Sequence, residues 1–161
     1  MSASVDAPVD CGAMLALNQA HVLETSSLDL AGMQALIDQA FFLATCERGG
    51  AEAFLLAVDQ DADYASPNFL WFRARYPRFV YIDRVIVAAC QRQKGWGRRF
   101  YAGLFEAAAA AGHTVVACEV NSDPPNPASD AFHKALGFAE VGSAVLAGRG
   151  KTVTYLVRDC A

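Results

Sequence analysis

One stretch constrains the fold of this chain more than any other: Val85-Ile86-Val87-Ala88-Ala89-Cys90-Gln91-Arg92-Gln93-Lys94-Gly95-Trp96-Gly97-Arg98-Arg99. A β-branched apolar run stops, a polar segment with two glycines follows, and an alanine-rich helical segment begins. A strand that passes into a helix through such a turn gathers unpaired backbone N–H groups at an electropositive helix start, which suits a phosphate or diphosphate. Gly95 and Gly97 open backbone conformations closed to other residues and let a ligand approach the main chain. Arg92, Lys94, Arg98 and Arg99 add positive charge at the same place. Neither G-x-x-x-x-G-K-[ST] nor G-x-G-x-x-G with a following acidic residue is present, so the two commonest nucleotide fingerprints are excluded.

That basic cluster sits on an acidic background. The net charge is −4, which argues against an extended nucleic-acid surface and for a small anionic ligand. With 161 residues, 54% of them hydrophobic and 19% charged, the chain is expected to form one globular domain over 1–161, with 1–10 frayed. Its apolar runs, such as 107–111, are far too short for a membrane span, and no charged-then-apolar leader opens it. The expectation is a soluble, cytoplasmic protein without membrane or nucleic-acid partners. Five scattered cysteines without C-x-x-C spacing suggest neither a disulfide framework nor a metal site; Cys46 and Cys118 read as small core residues.

In chain order, helices are expected over 14–22 and, capped by Asp29, over 30–40. Strands follow over 41–46 and 53–58, joined by the turn Arg48-Gly49-Gly50. The segment 59–78 breaks the regular pattern. It is rich in aromatic residues, and Phe69, Trp71, Phe72 and Tyr76 either floor a substrate pocket or seal the core beneath a long loop. The run 79–87 reads as a strand, with Tyr81, Asp83, Val85 and Val87 on one face. After the glycine turn, Tyr101, Leu104, Phe105 and Ala108 form an apolar stripe on a helix closed by Gly112. A buried strand over 114–120 follows, then the proline-rich 121–127. Asn126-Pro127 starts a short helix with Phe132, Ala135 and Leu136 inward, and a hairpin over 138–146 and 152–157 closes the chain.

Arg92-Gln93-Lys94-Gly95-Trp96-Gly97 resembles the acyl-CoA signature [RQ]-x-x-G-x-[GA] of the GCN5-related N-acetyltransferase (GNAT) superfamily. Downstream, Asn126-Pro127-Ala128-Ser129-Asp130-Ala131-Phe132-His133-Lys134-Ala135-Leu136-Gly137-Phe138 resembles the second family pattern, N-x-x-A-x-x-[FL]-Y-x-x-x-G-F. Ser129 stands where alanine is usual, and His133 replaces the tyrosine. The match covers roughly 79–139 and resembles an uncharacterised bacterial branch. It implies a mixed α/β fold: a mostly antiparallel central sheet with a splayed parallel strand pair, helices on both faces and a C-terminal β-hairpin.

The same resemblance implies acetyl-CoA as cofactor, bound by Val85, Ile86, Val87, Arg92, Gln93, Lys94, Gly95, Trp96, Gly97, Arg98, Asn126 and His133. The reaction would be N-acetyl transfer to the primary amine of a small molecule or peptide, by direct attack in a ternary complex. Such a step needs a base for the amine and a proton for the thiolate. Asp83 and Glu119 are the candidate bases and His133 the candidate acid. Each also has a structural reading: Asp83 in an ion pair with Arg84 or Arg78, Glu119 as a hydrogen-bonded buried carboxylate, and His133 as a helix-surface histidine. Family analogy leaves room for a homodimer through the C-terminal hairpin. The replaced tyrosine keeps open a non-catalytic acyl-CoA-binding module, and a phosphate-binding α/β domain is the third alternative.

Overall fold

The computed structural model describes residues 9–22, 25–46 and 52–160. Helices α1 (Cys11–Gln19) and α2 (Leu30–Gln39) come first, each started by an aspartate side chain: Asp10 accepts from the N–H of Ala13, and Asp29 from that of Gly32. Strands β1 (Phe42–Thr45) and β2 (Ala53–Asp59) pair antiparallel; the expected 48–50 turn lies outside the described residues, as does 1–8. Helix α3 (Pro67–Arg73) lies inside the segment expected to be irregular. Pro67 occupies the first turn, where its missing N–H costs nothing.

Strand β3 (Phe79–Val87) leads through a 3₁₀ turn, Ala89–Gln91, into α4 (Trp96–Ala110). Strand β4 (Val115–Asp123) then runs three residues beyond the expected end, into Asn121-Ser122-Asp123. Helix α5 (Pro127–Ala135) and the hairpin β5 (Ala139–Leu146) and β6 (Lys151–Asp159) complete the chain.

The six strands form one sheet in the order β1-β2-β3-β4-β6-β5, in which only β3 and β4 are parallel. Central β2 reads Ala-Phe-Leu-Leu-Ala-Val because both its faces are covered. On one face α1, α2 and α3 bring Met14, Leu17, Met33, Leu36, Phe69 and Phe72 against Phe54, Leu56 and Tyr81. On the other, α4 and α5 pack Phe100, Tyr101, Leu104, Ala108 and Phe132 against Leu55, Val80 and Cys118.

Two features of β3 position everything that follows. Its pairing with β2 steps from Leu56↔Arg84 to Ala57↔Ile82, so Asp83 is an extra residue. This β-bulge reverses the side-chain alternation: Phe79 and Tyr81 face α1–α3, but beyond the bulge Ile86 does, while Val85 and Val87 turn toward α4. The face expected to carry Tyr81, Asp83, Val85 and Val87 together is thereby corrected. Second, β3 and β4 pair only from Phe79↔Val115 to Tyr81↔Ala117. Past Tyr81 the edge of β3 toward β4 has no strand partner, and the sheet parts.

Candidate functional site

The gap between the parted strands opens into a cavity of about 150 Å³. Its walls come from six places in the chain: the α1–α2 connection, the segment leading into α3, the bulged part of β3, Tyr101 on α4, the last half of β4 with α5, and the β5–β6 hairpin. Sequence-nominated residues that line it are Val85, Asp83, Glu119, Asn126 and His133. Val87 and Ile86 continue the open edge of β3, where the Val87 carbonyl accepts from Arg92 Nε at 3.4 Å.

Beyond the end of β3, outside the residues that line the cavity, α4 begins. Gly95 is its N-cap, left-handed at φ +80°, and no side chain caps the helix. The first amides of α4, from Trp96 to Arg98, are therefore without side-chain acceptors. Gln93 also takes a positive φ, 64°, uncommon for a residue with a side chain and frequent where backbone is shaped for binding. Arg92, Gln93, Lys94 and Arg98 are exposed around this turn. Trp96 is pinned to one side, its Nε1 donating to Gln91 Oε1 at 3.0 Å and its ring covered by the Arg99 guanidinium at 4.1 Å. A Cβ on Gly97 would stand 3.4 Å from Phe132 Cζ, so α4 meets α5 through the Phe132 ring at this glycine. An uncapped helix start, flanking cations and an unpaired strand edge together fit a diphosphate-bearing cofactor with an extended arm.

Glu119 lies deeper in the cavity. Tyr81 donates to its Oε2 at 2.7 Å and Asn68 Nδ2 to its Oε1 at 3.0 Å; Tyr155 in turn donates to Asn68 Oδ1 at 2.8 Å. Loss of water around the carboxylate raises its pKa to about 7, against the lowering effect of the Tyr81 and Asn68 hydrogen bonds. Asp83 is differently placed. Arg84 Nε donates to its Oδ2 at 2.6 Å and the Tyr64 hydroxyl to its Oδ1, with Asp83 and Arg84 side chains almost fully enclosed. The rest of the Arg84 guanidinium is spent on Asn18 Oδ1 and on Ser26. Both oxygens of Asp83 are thus engaged, Oδ2 through Arg84 with α1 and the α1–α2 connection, and Oδ1 with Tyr64 ahead of α3.

His133 is buried, not on the helix surface, and it rather than Ala135 supplies the inward face of α5. Its Nδ1 lies 2.7 Å from the Ser129 carbonyl, which only accepts, so Nδ1 carries the proton. Burial lowers its pKa, so the ring is neutral and Nε2 accepts from the Tyr101 hydroxyl at 2.7 Å. Asn126 caps α5, its side chain accepting from the Ser129 N–H at 3.2 Å.

Phe69, Trp71, Phe72 and Tyr76 do not line the cavity. Phe69 and Phe72 are fully buried on the core face of α3, Trp71 stacks on Tyr155 at 4.2 Å between ring centroids, and Tyr76 packs against the same core. The helical turn of α3 carries them inward and leaves Tyr64, Ser66 and Asn68 to the cavity. Sequence reasoning missed those three, and also Tyr101, which it placed only in an apolar stripe. The signal for Tyr101 was a hydroxyl in a stripe of hydrocarbon, since buried phenols need a partner. Among the described residues no group of acidic, histidine or cysteine side chains is arranged to hold a metal, and no helix is long and apolar enough to cross a membrane.

The acetyltransferase (GNAT) family model matches residues 64–138. No curated protein matches the sequence. Among solved structures, Ard1 of Thermoplasma volcanium superposes with a TM-score of 0.70 at 14% identity, covering 95% of both chains. The structure of yncA from Salmonella typhimurium, which holds its cofactor acetyl-CoA, gives a TM-score of 0.65 at 21% identity over 94% of this chain and 89% of that one. The ribosomal-protein-alanine N-acetyltransferase of Brucella melitensis gives 0.65 at 22% identity over 93% and 94%. At these identities the likeness is one of fold.

Proposed function

We propose, for a chain whose residues 64–138 match the GNAT family model and whose fold is that of acetyltransferases of known structure, N-acetyl transfer from acetyl-CoA to a primary amine. The acceptor is a small molecule or a peptide, attacking directly in a ternary complex. One observation carries this reading. The parallel pair β3–β4 separates beyond Tyr81 beside an uncapped helix start, and a carboxylate poised near neutrality lies in the gap.

The N–H groups from Gln93 to Arg98 hold the diphosphate, with Arg92, Lys94 and Arg98 as counter-charges. Val85, Ile86 and Val87 offer the strand edge to the pantetheine arm, and Asn126 borders it from α5. When bound, acetyl-CoA supplies an activated acyl group on a thiol leaving group. Glu119 is the base: with a pKa of about 7 it is substantially ionised at neutral pH and still basic enough to draw a proton from an arriving ammonium. Asp83, tied to Arg84 and Tyr64, shapes the β3 bulge and is the weaker candidate.

The acid role expected of His133 runs through Tyr101. His133 keeps its proton on Nδ1 against Ser129 and accepts the Tyr101 hydroxyl at Nε2, so the one proton available at the cavity wall is that of Tyr101, which would have to turn from Nε2 to the leaving sulfur and leave a phenolate facing Nε2. Thiol release from acetyl-CoA with a panel of amines tests the reading, and Glu119→Gln should lower it by about 100-fold or more. Thermal stabilisation by CoA with no thiol released from any amine would leave a binding module instead.

A further inference from the structure

Resting on that reading, we infer that the acceptor is a small amine that also carries an anionic group, a carboxylate or a phosphate, and not a polyamine. The fixed charges around the cavity carry the argument. Five lining residues bear ordinary charges: Asp83, Arg84, Glu119, Arg149 and Lys151. Asp83 and Arg84 neutralise one another in a closed ion pair, which leaves Glu119 inside facing two cations. Neither Arg149 nor Lys151 forms a salt bridge with another described residue. A cavity with this surplus of positive charge is notable in a chain whose net charge is −4.

The β5–β6 turn places both cations on the cavity lining. Arg149 stands between Gly148 and Gly150, at φ +80° and +62°, on a two-strand turn that cannot slide because β5 and β6 pair up to Leu146↔Lys151. Lys151 Nζ donates to the Thr25 carbonyl at 2.9 Å, fixing its ammonium against the α1–α2 connection. The Arg149 guanidinium is exposed, with its donors available for a planar anion. Leu146 and Val153 of the same hairpin also line the cavity.

A ligand that spans the cavity therefore meets a base inside and cations outside. An amine with an acid group satisfies both ends, while a second ammonium would be placed against Arg149 and Lys151. The rim selects by repulsion as much as by attraction.

The test uses the full-length protein, acetyl-CoA and matched probes: free L-amino acids, the same amino acids as α-amides, phosphoethanolamine beside ethanolamine, and spermidine. Thiol release gives kcat and KM, and calorimetry without acetyl-CoA gives binding alone. The expected result is a preference of about 10- to 100-fold for the acid-bearing member of a pair, expressed mainly in KM. Carboxylate and phosphate arms identify which anion is taken. Arg149→Glu, on an exposed turn outside the core, should erase the preference and weaken binding of the acid in calorimetry. Equal or better turnover of the amides or of spermidine overturns this inference while leaving acetyl transfer in place. No turnover and no binding of any amine overturns the transferase reading and this inference with it.

Discussion

Replacing Glu119 by glutamine should push activity and stability in opposite directions. In the folded protein the Glu119 carboxyl titrates at about 7 against an ordinary value of 4.5, because the cavity strips it of water. Below pH 4.5 it is neutral in both folded and unfolded chains. Between 4.5 and 7 the unfolded chain gives up this proton while the folded one keeps it, so the folded state binds more protons and stability falls as pH rises. Above 7 the full cost is present, up to about 3 kcal/mol for a displacement of this size. Glutamine never ionises. It keeps the Asn68 bond through its carbonyl, and the Tyr81 hydroxyl can turn to accept from its amide.

The variant should therefore gain stability over the natural protein as pH rises from 5 to 8. For a chain of this length that is a Tm difference of roughly 6–12 °C at pH 8, shrinking toward pH 5. Over the same range natural thiol release should climb with an apparent pKa near 7, and the variant should show about 1% of it or less. Parallel melting temperatures for the two proteins from pH 5 to 8 would refute the raised pKa. A variant with undiminished thiol release would refute the base.

Three further outcomes follow from the geometry. Asp83→Asn leaves Arg84 enclosed without its carboxylate and should cost about 3–5 kcal/mol in urea unfolding; a cost under ~1 kcal/mol would mean that the pair does not hold β3. Gly95→Ala puts a side chain at φ +80°, so a loss of about 1–2 kcal/mol and a smaller thermal shift by CoA are expected, whereas an unchanged CoA shift would separate the turn from cofactor binding. Gly142→Ala sets a Cβ 2.5 Å from Trp71 Cζ2 and should destabilise by about 1–3 kcal/mol, with much of the loss recovered in the Trp71→Leu background, as a double-mutant cycle would record.

Local chemistry made much of this legible beforehand. The strand, glycine turn and helix around Gly95, the Asp29 cap and the Asn126-Pro127 helix start are written within a few residues of one another, and each is found as read. Three features were hidden for physical reasons. The Asp83 bulge leaves no mark on a run such as Val80-Tyr81-Ile82-Asp83-Arg84-Val85, because the extra residue is defined by its partner strand. Helix α3 was masked by Pro67, which reads as a breaker although a first turn accommodates it. The environment of Glu119 is assembled from Asn68, Tyr81 and, one bond further, Tyr155, each on a different element, so no spacing could announce it. His133 was legible as a residue but not in its setting, since its burial depends on Tyr101 across the α4–α5 contact.

The most direct test of the account is a crystal structure of the protein with CoA. The diphosphate oxygens should lie on the amides of Trp96, Gly97 and Arg98, with the arm entering between Val85 and Asn126 toward Glu119. A diphosphate bound anywhere else, or an arm that stays outside the parted strands, would contradict it.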